Sequence, residues 1–362
     1  MSSVGIVGAG AWGTALAGVL GTAGHDVEVW AYEPDVATDI TKNHRNSRYL
    51  PDVALPDSVR AESDLLRVAS DKEFLILATP SLHILRVTRS LLAVPAISEG
   101  RVVIAVITKG FIDAPDGVRL IVPTLEDYLP GFYKGKVVYV SGPSHAEEVA
   151  QGRLTGLISA SSYPRTAVRV RELLSVRPLM VFSSLDVIGV QVAAAMKNVI
   201  AIAFGMMDSL AHAAGAMFGD NTESLLLAAG LNEVQSMAFA LGATHPETFT
   251  SIAGVGDLDV TCRSRYGRNR RFGRDIVERG VLNAFATIDD LIERIDEVGY
   301  LPEGVIAARG ARRLIEKHQI KLPITAMVYR ILNREIEPEA ALEGLLTGLT
   351  RADFGGSMPG RS

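Results

Sequence analysis

An α/β N-terminal domain built on a parallel-rich sheet, followed by an all-α C-terminal domain, is the fold class that this sequence predicts. Three observations carry it. In the first half, short β-rich runs alternate with amphipathic stretches; from about Asp186 onward helical periodicities take over; and a glycine-rich turn separates the first run from the first amphipathic stretch. Strands that alternate with helices and read as nearly continuous apolar runs belong to parallel sheets covered on both faces.

The elements follow in chain order. Candidate strands are Val4–Val7, Asp26–Trp30, Glu73–Ala78, Arg101–Val106, Lys136–Val140 and Leu154–Ala160. Helices are expected between them over Ala11–Ala23, Ser81–Leu92, Gly117–Leu125 and Arg165–Leu174. Beyond them the helical periodicity covers Val187–Met207, Thr222–Leu241, Arg271–Arg279, Ile288–Val298, Val305–Lys317 and Thr325–Leu332. The boundary is set near Ser183–Asp186, giving domains over 1–185 and 186–350 and a Gly-, Ser- and Arg-rich tail over 351–362 that is expected to fray.

Composition narrows the function classes. The 362 residues suffice for two domains, and 48% hydrophobic residues supply a core. A net charge of −5 provides no global field to recruit nucleic acid or an anionic membrane, so any anion site has to be local. The single cysteine, Cys262, excludes an intramolecular disulfide framework and reads as a small buried filler. The N-terminus lacks a basic region and a cleavage site, and no uninterrupted apolar run approaches the ~18 residues of a membrane span. The most apolar segment, Val187–Met207, contains Gln191, Lys197 and Asn198, and reads as a buried core helix. The expected location is cytoplasmic, without stable membrane insertion. The seven histidines are scattered without metal-ligand spacing, so no metal is expected.

Gly8-Ala9-Gly10-Ala11-Trp12-Gly13 fits G-x-G-x-x-G. Alone the pattern is weak, but here it follows a strand and opens a helix, as a dinucleotide-binding Rossmann turn requires. Gly8 permits the tight turn, Gly10 lets backbone approach a pyrophosphate, and Gly13 allows close helix–strand packing. The helix N-terminus supplies N–H donors and partial positive charge. Glu33, about 20 residues beyond Gly13, stands where a carboxylate accepts hydrogen bonds from the adenosine ribose. It would repel a 2′-phosphate, and no arginine directly follows the second strand, so NAD is favoured over NADP. The competing reading makes Glu33 merely the start of a helix at Pro34.

Several segments in order make the chain resemble the bacterial-type NAD(P)-dependent glycerol-3-phosphate dehydrogenases. They are Gly8–Ala17, Asn46-Ser47-Arg48-Tyr49-Leu50-Pro51, Thr108-Lys109-Gly110, Ser141–Val149, Ala195-Met196-Lys197-Asn198-Val199, Gly254–Leu258 and Arg268–Gly273. The resemblance implies interconversion of dihydroxyacetone phosphate and glycerol 3-phosphate, serving phospholipid synthesis, by a homodimer. It also implies residue roles. Lys197 takes the place of the catalytic lysine, Lys109 that of a lysine near cofactor and substrate, and Asp257 that of their acidic partner. Gly142 and Ser144 stand at substrate contacts; Gly267, Arg268 and Asn269 stand where the substrate phosphate is gripped. Gly8, Gly10, Ala11, Trp12, Gly13, Tyr32, Glu33, Tyr49, Lys109, Ala146, Arg268, Leu301 and Glu303 stand at cofactor positions. The chain departs from the pattern at Tyr32, often Arg or His; at Gly267, commonly Ser; at His145, more often Phe; at Ala229, frequently Arg; and over Ala211–Met217, which reads as an insertion.

The chemistry is consistent with those residues. Carbonyl reduction needs a hydride donor, a proton donor and here a phosphate anchor. A lysine inside an apolar helix is disfavoured as a cation, which suits proton transfer, and its ammonium stabilises charge developing on oxygen. The bland alternative for Lys197 is a helix lysine reaching solvent. Arg263, Arg265, Arg268, Arg270, Arg271 and Arg274 form a basic cluster, mostly a solvated helix start; a helix N-terminus at Arg268–Arg271 suits a phosphate dianion. The cluster is too short and too poor in aromatics for nucleic acid. Two other functions remain open on the residues: a related two-domain dehydrogenase for a 2-hydroxyacid, hydroxyacyl or sugar-acid substrate, and an inactive nicotinamide-binding sensor.

Overall fold

The computed structural model describes residues 1–114, 116–214, 219–264 and 266–341, with backbone alone at 212–214. Arg265, the His212 side chain, most of Ala211–Met217 and the tail 351–362 lie outside the described residues. The chain divides into two compact units, Met1–Ile112 with Arg119–Gln191, and Asp113–Val118 with the chain from Val192 onward.

The first unit is built on one eight-stranded sheet: β1 (Ser3–Val7), β2 (Asp26–Trp30), β3 (Val59–Glu62), β4 (Phe74–Leu77), β5 (Val103–Val106), β6 (Val138–Ser141), β7 (Thr155–Ala160) and β8 (Leu179–Ser184). Their spatial order is β3-β2-β1-β4-β5-β6-β7-β8, and every pair is parallel except β6 with β7. This is a Rossmann-type sheet extended at one edge. All four residues of β4 and of β5 are buried, as covered parallel strands require. In register, Val7 at the end of β1 stands opposite Trp30 on one side and Leu77 on the other. The chain runs outward from β1 through β2 and β3, then returns to the far side of β1 as β4. That reversal opens a crevice beyond the carboxyl ends of β1 and β4, where open α/β sheets take their ligands.

Some local expectations need correction. Gly117–Leu125 is not one helix. Gly117–Leu120 is a strand paired with Phe111–Ala114, and a helix follows over Ile121–Tyr128. Val118 and Leu120 are buried while their neighbours are half-exposed, the two-residue period of a strand. Pro123 then falls in the first helical turn, where its missing N–H costs nothing. Ile288–Val298 is likewise broken, into a helix over Ile288–Glu293 and a 3-10 turn over Ile295–Val298 that stops at the left-handed Gly299.

The described part of the second unit is helical apart from strand residues in Asp113–Val118. Its centre is the core helix Val187–Ala214, whose first residues belong to the first unit. By length and composition alone this helix could cross a membrane, but its most apolar window is 94% buried. It is a core helix. The longer helices Asp220–Ala240, Arg268–Arg279, Glu303–His318 and Pro323–Leu332 belong to the same unit, with shorter ones over Glu247–Thr250, Asp257–Arg263 and Ile288–Glu293.

One buried carboxylate holds two of these helices. Glu233, 5% exposed, accepts hydrogen bonds from the backbone N–H groups of Ile324 (2.5 Å) and Thr325 (2.9 Å) and from the Thr325 hydroxyl (2.7 Å). It thereby caps Pro323–Leu332 from a neighbouring helix, satisfying donors that the helix cannot satisfy itself. Burial outweighs those bonds and pushes its pKa from 4.5 up to about 7. A carboxyl that holds its proton more tightly when folded stabilises the fold below its unfolded value and loses that contribution as pH rises. Unfolding free energy measured by denaturant titration should therefore contain a component that declines between pH 4.5 and about 7. Glu233→Gln should lack this component; an identical pH slope in that variant would reject the assignment. Glu233→Ala, which strips the cap, should cost about 2–3 kcal/mol.

Candidate active site

The glycine turn meets the demands of a phosphate cradle. Gly8 lies at φ 129°, and a Cβ there would sit 2.9 Å from the Ala78 carbonyl, so only glycine fits where β1 and β4 part. A Cβ on Gly13 would lie 2.1 Å from the Gly8 oxygen. Gly10 is different: a Cβ there would meet nothing within 4 Å. Its backbone borders open space, at the N-terminus of a helix (Ala11–Thr22) with no acidic side chain in its first turn. That geometry fits a dinucleotide pyrophosphate. Ala11 and Trp12 begin this helix half-exposed, and Trp12 packs on the core.

At the end of β2, Tyr32 is 68% exposed, with its ring edge on Trp30. Glu33 precedes the helix Pro34–Asn43, and its carboxylate accepts a hydrogen bond from the Tyr49 hydroxyl at 2.7 Å. Both readings of Glu33 therefore hold locally: it starts a helix and it presents an oriented carboxylate. Across the sheet, Lys109 follows β5, and its ammonium donates to the Gly142 carbonyl beyond β6 at 3.4 Å. The Ser144 hydroxyl donates to the same oxygen at 3.0 Å. Ala146 is buried at the start of a short helix after His145.

In the second unit, Lys197 is 5% exposed, which rules out a lysine reaching solvent. Its ammonium donates to the Asp257 carboxylate and, at 2.8 Å, to the Thr261 hydroxyl. Although Gly254 and Gly256 directly precede it, Asp257 does not sit in a loop. It begins the helix Asp257–Arg263, directly after a π-helical turn over Ile252–Gly256. Thr261 stands one turn further on and donates back to the Asp257 carbonyl at 2.6 Å. Thr261 was not among the sequence candidates, although its spacing of four from Asp257 on a helix was the available signal. Cys262 beside it is fully buried, which pushes its thiol pKa up and leaves it a filler.

The basic cluster sorts itself by partner. Arg270 makes two bonds to Asp208 (2.6 and 3.0 Å), Arg263 pairs with Asp259 and Glu223, and Arg271 pairs with Asp275. Arg268 is exposed at the first turn of Arg268–Arg279, and among the described residues no carboxylate pairs with it. Gly267 is the buried residue just before that helix. Asn269 is buried and already engaged: its amide donates to the Asn198 side chain (2.9 Å) and accepts from the Gly304 N–H (2.9 Å). It thus ties the residue after Lys197 to the segment holding half-exposed Leu301 and Glu303.

These arrangements match a known family along nearly the whole chain. The models of the NAD-dependent glycerol-3-phosphate dehydrogenase N-terminus and C-terminus match residues 3–167 and 186–343. The chain belongs to the NAD-dependent glycerol-3-phosphate dehydrogenase family. It is 53% identical to a glycerol-3-phosphate dehydrogenase [NAD(P)+] of Treponema denticola, over 96% of this chain and 99% of the relative. It is 36% identical to one from Bacillus subtilis, over 96% and 94%. The crystal structure of a glycerol-3-phosphate dehydrogenase from Coxiella burnetii superposes with a TM-score of 0.82 at 32% identity, covering 95% of this chain and 98% of that one. The protein is accordingly an NAD(P)-dependent oxidoreductase.

Within this dehydrogenase the helix Arg268–Arg279 reaches the core helix Val187–Ala214 only because side chains are missing. A Cβ on Gly205 would lie 1.9 Å from the Arg270 carbonyl oxygen, and one on Gly273 would lie 2.1 Å from that of Ile202. Gly205→Ala should therefore force the two helices apart, with a loss of about 2–3 kcal/mol in chemical denaturation. Wild-type stability in this variant would contradict the packing.

Proposed function

We propose that this dehydrogenase reduces dihydroxyacetone phosphate reversibly to glycerol 3-phosphate, with NADH favoured over NADPH, and that Lys197 is its proton donor. The single observation that carries the reading is a lysine buried with its carboxylate and hydroxyl partners, Asp257 and Thr261. Bound NADH supplies the hydride. The ammonium of Lys197 hydrogen-bonds the carbonyl oxygen, stabilises the negative charge that grows there, and hands over one proton. Asp257 and Thr261 keep the ammonium aimed throughout. Lys109, held at the Gly142 carbonyl beside Ser144, contributes a second cation at the cofactor end of the substrate. Arg268 takes the phosphate dianion through its guanidinium, helped by the Gly267 backbone and the remaining amide hydrogen of Asn269.

On the cofactor side, Gly8, Gly10, Ala11, Trp12 and Gly13 cradle the pyrophosphate. Tyr32, Glu33 and Tyr49 meet the adenosine, with Glu33 accepting from the ribose hydroxyls. Ala146, Leu301, Glu303 and Arg268 complete the contacts. A homodimer in the cytoplasm, supplying glycerol 3-phosphate to phospholipid synthesis, is the setting this reading implies.

The test is NADH oxidation with dihydroxyacetone phosphate. Lys197→Ala should reduce kcat by at least ~10²–10⁴-fold while NADH binding, followed by tryptophan fluorescence, persists. Removing one partner of a buried pair also destabilises, by about 3–5 kcal/mol, so Lys197→Met combined with Asp257→Leu should restore the fold without restoring turnover. An active Lys197→Ala enzyme would sink the assignment.

A further inference from the structure

Asn46 has no part in the site as described, yet it is 1% exposed and its side chain is fully used. Its amide nitrogen donates to the Ala9 carbonyl at 2.8 Å and to the Thr14 hydroxyl at 2.7 Å. Its amide oxygen accepts the Tyr49 N–H at 3.1 Å. Thr14 in turn donates to the Ala9 carbonyl at 3.2 Å, so both hydroxyl and amide converge on one peptide of the glycine turn. Tyr49, three residues after Asn46, reaches Glu33 with its hydroxyl.

That peptide links Ala9 to Gly10. A trans peptide is planar, with its C=O and N–H pointing in opposite directions. Asn46 and Thr14 hold the Ala9 oxygen inward, which turns the Gly10 N–H outward, to the side where a Gly10 Cβ would meet no atom. We propose that Asn46 is a positioning residue for the cofactor: it aims the Gly10 N–H at the pyrophosphate and sets Tyr49 to orient Glu33, so that Asn46–Tyr49 is the cofactor-selecting segment. The Glu33 half of this inference rests on the reading, given above, that Glu33 meets the adenosine ribose.

The physical gain is preorganisation. A carboxylate near the surface samples several rotamers, and ordering it on binding costs about 0.5–1.5 kcal/mol. One Glu33 oxygen is already occupied by Tyr49, leaving the other for a ribose diol. Burial and the Glu33 carboxylate both raise the Tyr49 pKa, so the phenol remains a donor throughout the neutral range. Beside it, the Arg48 guanidinium lies 5.5 Å from the Tyr49 ring centre and 4.0 Å from Asp35. A cation is thus at hand for a 2′-phosphate once the Tyr49–Glu33 bond is lost.

The experiment compares kcat and KM for NADH and NADPH in Asn46→Ala, Tyr49→Phe and Glu33→Gln, with a thermal melt of each. Tyr49→Phe keeps the ring and removes one hydrogen bond. It should lower the NADH-to-NADPH ratio of kcat/KM roughly five- to tenfold, mainly through KM. Asn46→Ala should raise KM for both cofactors about tenfold or more and lower the ratio as well, with kcat reduced less than KM is raised. Wild-type KM values in a folded Asn46→Ala enzyme would overturn the proposal. So would an unchanged ratio in Tyr49→Phe when Glu33→Gln changes it. If Glu33→Gln leaves the ratio unaltered, the ribose reading fails instead, and the loss for both cofactors in Asn46→Ala still decides the pyrophosphate arm. If Asn46→Ala does not fold, half-exposed Tyr49→Phe decides the selecting role by its ratio alone.

Discussion

A lysine ammonium inside an apolar helix is tolerable here because a carboxylate is buried with it. The Lys197 and Asp257 side chains are 6% and 1% exposed. Either ion alone would carry a desolvation cost of several kcal/mol, and their attraction offsets it only with good geometry and further hydrogen bonds. Thr261 supplies one such bond, and its own bond to the Asp257 carbonyl fixes its rotamer. The constraint propagates outward. The helix Asp257–Arg263 has to present its first turn to the core helix, and the π-helical turn before it sets that phase. The preceding helix ends at the extended Ser251, so the π-helical turn leads into Asp257–Arg263 from its start.

The same constraint explains the small residues in the second unit. To bring Arg268 and Asn269 near the lysine helix, two backbones must approach more closely than any Cβ permits, and Gly205 and Gly273 are placed at those crossings. Gly304 is a third, where a Cβ would lie 2.5 Å from the Asn198 carbonyl oxygen. At that crossing Asn269 fastens Asn198 to the Gly304 N–H. Close packing and the polar link are therefore one feature, since the amide can span the gap only where the glycine narrows it.

Much of this was legible in the sequence, for identifiable reasons. β1 and β2 were read almost to the residue because Val4–Val7 is a short apolar run and Asp26–Trp30 alternates charged and β-branched residues with the period of a strand. The glycine turn was legible because its role is set by backbone sterics, which one residue type satisfies. β3 and β8 were not. β3 alternates Val59 and Ala61 with Arg60 and Glu62 at the sheet edge and so lacks the apolar pattern of a covered strand, whereas β8 does carry the run Leu179-Met180-Val181-Phe182, directly before the polar Ser183-Ser184, and was passed over. In the site, Lys197 and Asp257 stood out by charge in apolar or glycine-rich surroundings. Thr261 and Asn46 did not, because neutral polar residues leave no mark on hydropathy, and their roles exist only once distant segments meet.

Asn46, Asn269 and Glu233 share a mode of action that sequence patterns miss. Each is buried and hydrogen-bonded, and each reaches the backbone or side chains of a distant segment. An unpaired buried amide or carboxylate would cost more than an apolar residue of the same size, so these side chains stabilise only the arrangement that satisfies them completely. Glu233 fixes the start of a helix, Asn269 fixes Asn198 beside the buried Lys197, and Asn46 fixes one peptide of the glycine turn. In a protein of net negative charge that must receive two anionic ligands, such fixing has a particular use. Attraction cannot come from the global field, so it has to come from a few local donors held in place beforehand. The Gly10 backbone, bordered by open space at a helix N-terminus, and the exposed Arg268 guanidinium, with no carboxylate paired to it among the described residues, offer donors of that kind. The neutral amides that hold their surroundings supply direction without adding the negative charge that would cancel it.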